Sequence, residues 1–198
     1  MDKATYKMYI DWNNDGDFGD SYEDVSDDLI QFDCRSGRDG ASQLKGRASP
    51  GRLMAVLKNR DGKYSSYNTS SVIYGSIKPG RLVRVGISSP ATATLWTGYL
   101  ENILPSGSID GIPVAVCIAS GGLKKVASRD IRPIKYSSQT SGALIGIILD
   151  EAGWSSALRD IDTGQTTIGK WFVDRKQALN AIRDIEDTEL GFIYESLS

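Results

Sequence analysis

The sequence predicts an α+β protein: an antiparallel β-barrel- or sandwich-like domain over residues 1–122, then a smaller α/β region with two helices over residues 123–198. Three observations carry this expectation. Residues 81–119 read as three consecutive strands joined by turns, which makes an antiparallel sheet. Residues 141–154 and 178–190 carry apolar residues at helical spacing. The chain also has 21 glycines against 6 prolines, the balance of a turn-rich β protein. At 198 residues, 40% hydrophobic and 24% charged, it is long enough to bury a sizeable core.

In chain order, residues 5–12 are aromatic and branched and read as a strand, followed by a Gly/Asp/Asn-rich loop from Asp11 to Asp20. Leu29 to Arg35 is a second short strand. Residues 36–50 are small, polar and basic without a period, a long loop of the kind that serves a function or is ordered by a partner. Arg52 to Leu57 is a strand ended by the turn Asn59-Arg60-Asp61-Gly62, and residues 63–77 show no clear period. After the Pro79-Gly80 turn, Arg81, Val83, Val85 and Ile87 share one parity of a strand. Residues 94–104 form the next strand, and Ser106 to Gly111 turn it into a hairpin with residues 112–119.

Residues 123–140 are basic and polar and read as a connector. Leu144, Ile145, Ile148, Leu149 and Ala152 then make a helical stripe ended by Gly153. Asp174 and Gln177 match a capping box opening a second helix, whose stripe is Ala178, Leu179, Ile182, Ile185 and Leu190, with Gly191 as its stop. Residues 192–195 start a last strand with no closing partner, as expected of a fragment of a longer polypeptide or of an edge completed by another chain.

Composition narrows the chemistry. The chain has no histidine, which excludes histidine bases, His-dependent serine or cysteine triads and zinc sites with a His ligand. No apolar run approaches the roughly 20 residues of a membrane-spanning helix. Met1 leads directly into Asp2 and Lys3 without a signal-peptide core, so synthesis in a cytoplasm is expected. Cys34 and Cys117 read as small buried hydrophobes more readily than as a disulfide. Charge is segregated although the total is −2. Residues 1–28 hold nine acids against Lys3 and Lys7, a net of −7, whereas residues 29–87 hold eleven bases against Asp33, Asp39 and Asp61, a net of +8. Residues 141–198 return to −5. A polarised, near-neutral chain fits docking to copies of itself or to partner subunits better than nucleic-acid binding, with solvated faces that fold back on one another as the plain alternative.

One loop has metal-ligand spacing. Asp11, Asn13, Asp15 and Asp17 place oxygens at alternate positions with Gly16 at position six, and Asp20 and Glu23 follow. A calcium loop needs this pattern, because alternating side chains and a sharp turn wrap hard oxygens around one ion. Tyr22 stands where an EF-hand has its bidentate Glu, and the preceding segment is strand-like, so an EF-hand is not expected. The competing reading is a plain Asx-rich turn between strands. Asp150-Glu151 and the Asp184/Glu186/Asp187/Glu189 group offer carboxylate pairs for glycosidic cleavage, yet the latter fit the solvated face of a helix. Trp12, Trp96, Trp154 and Trp171 are candidates for a sugar platform, with core packing the leading alternative. No phosphate-binding loop, dinucleotide glycine motif or nucleophile elbow is present, and no catalytic residue is assigned.

The run Pro79-Gly80-Arg81-x-Val83-Arg84-Val85 followed by Leu95-Trp96-Thr97-Gly98-Tyr99-Leu100 resembles the hub and tail-tip proteins of bacteriophages and related contractile injection machines. The stretch from Gly37 to Leu53, with Asn59-x-Asp61-Gly62-x-Tyr64-Ser65, is similar to the N-terminal part of long-tailed phage minor tail proteins, as is the Asp11–Phe18 turn to their opening. Ile148 to Trp154, the helix from Ala178 to Ile185 and Gly191 to Tyr194 look like the hub's helical insert domain. The resemblance implies a tube-like β-domain over 1–122 and an incomplete insert domain over 123–198. It implies a non-enzymatic virion protein of the phage tail, made in the host cytoplasm, that closes the tail tube as a tail-tip or baseplate hub. Its partners would be copies of itself, as a trimer, with tail-tube and other tail-tip proteins, and without direct nucleic-acid contact or membrane insertion. The basic loop nominates Arg38, Lys45, Arg47 and Arg52 as contact residues. The alternative function is a calcium-stabilised carbohydrate-binding module acting in cell-surface adhesion, and a third is an acid-only glycosidase fragment.

Overall fold

The computed structural model describes residues 4–35 and 48–195, and these group into two units. The first comprises the described residues of 1–36 and 50–121 together with Glu195; the second comprises residues 48–49 and 122–194.

The first unit is one curled, six-stranded half-barrel. Its strands are β1 (Thr5–Ile10), β2 (Leu29–Arg35), β3 (Arg52–Lys58), β4 (Leu82–Ser89), β5 (Ala93–Ile109) and β6 (Ile112–Ser120). Their order is β1-β4-β5-β6-β3-β2, with every neighbour antiparallel. The period-2 pattern sets which face is buried. Met8 and Ile10, Leu53, Ala55 and Leu57, Val83 and Val85, and Ala115, Cys117 and Ala119 all point inward with no or almost no exposure. Trp96 fills the centre of this core, and a side chain at Gly98 would overlap its ring. The β5–β6 turn is Asp110-Gly111, both with positive φ (51° and 78°), the geometry of a type I′ hairpin.

The outer edge of β1 is covered by the chain itself. Ile10 N–H donates to the Glu23 carbonyl at 3.0 Å, Val25 N–H to the Met8 carbonyl at 2.9 Å, and Met8 N–H to the Ser26 hydroxyl at 3.0 Å. Tyr6 and Phe32 meet edge-to-face at 5.3 Å and so link the two edge strands through their side chains. Asp28 accepts from the Tyr64 phenol at 2.6 Å and from Lys63 at 2.7 Å. Gly51, Gly121 and Glu195 meet at one corner of the sheet. There Gly121 N–H donates to the Gly51 carbonyl at 2.8 Å and Gly51 N–H donates to the Glu195 carboxylate at 3.1 Å. A β-carbon at Gly121 would collide with that carboxylate.

The second unit holds α1 (Leu123–Ala127), β7 (Ile134–Thr140), α2 (Ser141–Glu151), β8 (Thr167–Val173) and α3 (Ala178–Glu189), with β7 and β8 paired antiparallel. Leu144 and Ile148 of α2 pack with Leu179, Ile182 and Ile185 of α3 and with Val126 and Ile131. The Thr140 hydroxyl caps α2 by accepting Ala143 N–H at 3.3 Å. Glu189 ties the end of α3 to the start of α2 by accepting from the Ser141 hydroxyl and from Thr166 N–H, the latter at 2.7 Å. No helix of the described residues is long and apolar enough to cross a membrane.

Several sequence expectations are corrected. Residues 123–140 are not a plain connector, since they contain α1 and β7. β8 was not foreseen from the sequence. The Asp174–Gln177 capping box does not form: the N-cap is Gln177 with no side-chain cap, and Ala178 N–H bonds the Arg129 carbonyl at 2.8 Å instead. The left-handed residue that ends α3 is Leu190 (φ 55°), not Gly191. Residues 192–195 are not a strand; Ile193 N–H bonds the Glu186 carboxylate at 3.1 Å and Glu195 turns to Gly51.

Two outcomes test this arrangement. The Glu189 carboxyl is held below its ordinary value of 4.5, foremost by the Ser141 hydroxyl. Its contribution is therefore present above that value and lost as pH falls through the depressed one. Glu189→Gln is expected to cost about 1 kcal/mol in a urea titration at pH 7, discounted for partial exposure, and progressively less as the pH is lowered below 4.5. Both cysteines are free, and burial pushes the Cys117 thiol up to about 12 while Cys34 is only partly covered. A thiol reagent at pH 8 should therefore label a single cysteine, Cys34, in the native protein and both in denaturant.

Candidate functional site

The acidic loop leaves β1 at Asp11, whose N–H donates to the Leu82 carbonyl at 3.0 Å, and returns to the β1 edge at Glu23. Because Ile10 and Glu23 are bonded backbone to backbone, the loop between them closes on itself. That closure sets the first and last carboxylates side by side.

Inside the loop, short-range hydrogen bonds set each turn. Asp11 accepts from Asn14 N–H and, at 3.0 Å, from Gly16 N–H. Asn14 (φ 68°) and Gly16 (φ 95°) adopt the left-handed conformations that asparagine and glycine tolerate. The Asn13 amide donates to Asp15 at 2.8 Å and to Asp20 at 2.5 Å, and Asp20 N–H donates to Glu23 Oε2 at 3.0 Å. Oxygens of Asp11, Asp15 and Glu23 all lie within 4.8 Å of one another. Asp11 and Glu23 are each 1% exposed, and Glu23 Oε1 is buried with no hydrogen-bond partner. Burial holds the Glu23 carboxyl above its ordinary value, against the Asp20 N–H that favours the charged form, and the Asp11 charge adds to the rise.

Of the six candidate ligands, Asp11, Asp15 and Glu23 therefore form one cluster. Asn13 and Asp20 adjoin it through the Asn13 amide, while Asp17 stands apart and accepts Gly19 N–H at 2.8 Å. Two supports were not named by the sequence. Arg84 of β4 lies over the rings of Phe18 (4.4 Å) and Tyr9 (5.2 Å), which clamps the loop against the sheet. The Trp12 indole donates to the Tyr22 carbonyl at 3.0 Å. Only the spacing of Arg84 and Tyr9 on facing strands, Tyr9 opposite Arg84 in register, could have pointed to that clamp.

The other candidates occupy structural positions. Trp12 and Trp96 are buried in the core of the first unit, and Trp154 and Trp171 pack against the core of the second. Asp150 pairs with Arg159 at 2.8 Å, Asp184 with Lys176, and Glu186 is buried. Arg52 is exposed on β3 and stands opposite Arg35 of β2 in register. Arg38, Lys45 and Arg47 lie outside the described residues.

No protein-family model matches the sequence, and no curated protein matches it. Solved structures do. The chain is similar to a tail protein of prophage MuSo2 from Shewanella oneidensis, at 14% identity and a TM-score of 0.54, over 94% of this chain and 49% of that one. It is similar to the tail protein of Neisseria meningitidis, at 7% identity and a TM-score of 0.52, over 94% of this chain and 46% of that one. It is also similar to the E. coli c3393 protein, a component of the type VI secretion system with structural similarity to T4 bacteriophage tail proteins. There the identity is 10%, the TM-score 0.52 and the coverage 80% of this chain and 39% of that one. The chain thus spans about half or less of the length of each. Its fold is the one found in phage tail proteins and in the tail-like proteins of type VI secretion.

Proposed function

We propose that the protein is a structural, non-enzymatic component of a phage tail tip or baseplate, a hub subunit of the virion that assembles with copies of itself, as a trimer, and with tail-tube and other tail-tip proteins. The observation that carries this reading is the shared fold, which extends over 80–94% of the chain in two tail proteins and one type VI secretion component. Two surface features of the first unit support it. The β5–β6 hairpin is exposed on β5 from Leu104 to Gly111 and runs on beyond Pro105 as a two-stranded ribbon, with Leu104 46% and Ile109 42% exposed. Such a ribbon is marginal in water by itself and gains from being covered. Arg35, which pairs with Asp33 at 3.6 Å, and Arg52 stand opposite each other across β2 and β3, an exposed basic spot that suits an acidic partner surface. Arg38, Lys45 and Arg47 extend the same basic stretch in sequence.

Light scattering coupled to size exclusion, followed by negative-stain microscopy with the cognate tube protein, tests the reading. The expected result is a trimer or addition to tube ends; a chain that stays monomeric with tube protein present would overturn it. Replacing both Leu104 and Ile109 by Asp should weaken assembly at least about tenfold while leaving the melting temperature within about 2 °C, because these side chains are outside the core. Arg52→Glu should slow association, with an effect that shrinks as salt is raised.

A further inference from the structure

We infer that the loop between β1 and β2 is a calcium site, in which Asp11, Asp15 and Glu23 supply carboxylate oxygens to one ion. Three carboxylates with oxygens within 4.8 Å of one another repel when charged, and among the described residues no lysine or arginine pairs with any of them. A second observation is independent of the clustering. Glu23 is 1% exposed, sits against the other two acids, and leaves Oε1 buried without a donor. A buried carboxylate oxygen is ordinarily satisfied by hydrogen bonds or by a cation. A divalent ion among the three groups supplies the missing partner and removes the repulsion together.

The donor set selects the ion. All the ligands are hard carboxylate oxygens, without nitrogen or sulfur, which excludes a preference for zinc or copper. Calcium bonds of about 2.3–2.6 Å let oxygens up to roughly 5 Å apart touch the same ion, whereas magnesium bonds of about 2.0–2.1 Å reach only about 4.2 Å. Oxygens that all lie within 4.8 Å of one another are inside the reach of calcium. Asn13 and Asp20 stand beside the cluster to add oxygens, and Asp15 is exposed, leaving an open side for water ligands.

Trp12, directly after Asp11 and bonded to the Tyr22 carbonyl, provides an optical donor for a lanthanide in the loop. With the full chain stripped by EDTA, terbium should luminesce on tryptophan excitation, and calcium chloride should quench the signal by competition at least about tenfold more effectively than magnesium chloride. Calcium should also raise the melting temperature by several degrees, reversibly with EDTA. Glu23→Gln should abolish both responses. Because that side chain is buried and its variant is at risk of misfolding, the exposed Asp15→Asn is the second variant, expected to keep the circular dichroism spectrum and weaken terbium binding at least tenfold. Absence of both terbium luminescence and a calcium-dependent melting shift would overturn the site. Terbium binding unchanged in a folded Asp15→Asn would overturn the ligand assignment.

Discussion

The backbone pairing of residues 23–26 with the outer edge of β1 governs much of the first unit. Ile10 N–H to the Glu23 carbonyl and Val25 N–H to the Met8 carbonyl satisfy groups that an edge strand otherwise offers to any passing chain. The same two bonds fix the span of the acidic loop, so that a segment of like charges is folded tightly instead of spreading into solvent. They also bring the chain to Asp28, where the Tyr64 phenol and the Lys63 ammonium converge on one carboxylate oxygen. Burial and that carboxylate push the Tyr64 phenol far above its ordinary value, so the ring serves as a neutral donor at the base of the core.

The half-barrel depends as well on one large ring. Trp96 occupies the concave face of a sheet whose other inward residues are mostly aliphatic, and the absence of side chains at Gly98 and Gly51 leaves it room. Arg84 performs the corresponding service outside, holding Phe18 against Tyr9. A tryptophan within and an arginine without stand on adjacent rungs of the β4–β5 pair, the one filling the core and the other fastening the loop.

Most of the first unit was legible in the sequence because its signals are local. Alternation along Val83 and Val85, the Asp-Gly turn at 110–111 and the β-branched run at 112–118 each specify strand or turn without help from distant residues. The second unit was harder to read because long-range contacts decide its elements. Lys135 to Thr140 is polar and becomes a strand only by pairing with Thr167 to Phe172, and α3 begins where Arg129 reaches Ala178, not where a capping box would place it. Leu190 in a left-handed conformation beside an available glycine makes the same point, since the Gly191 N–H is committed to the Glu186 carbonyl. In the acidic loop the spacing nominated six ligands, but which of them meet depends on the Ile10–Glu23 closure, and that is a property of the sheet edge and not of the motif.

The corner where Gly51, Gly121 and Glu195 meet has an architectural consequence. Two hydrogen bonds, Gly121 N–H to the Gly51 carbonyl and Gly51 N–H to the Glu195 carboxylate, hold together three residues of the first unit that are far apart in sequence and lie at or next to its boundaries in the chain. Such anchoring makes the segment between Gly121 and Glu195 exchangeable: another module or a short linker there leaves strand order and register unaltered. The half-barrel is in that sense a socket, and what it presents can diverge while the sheet stays constant.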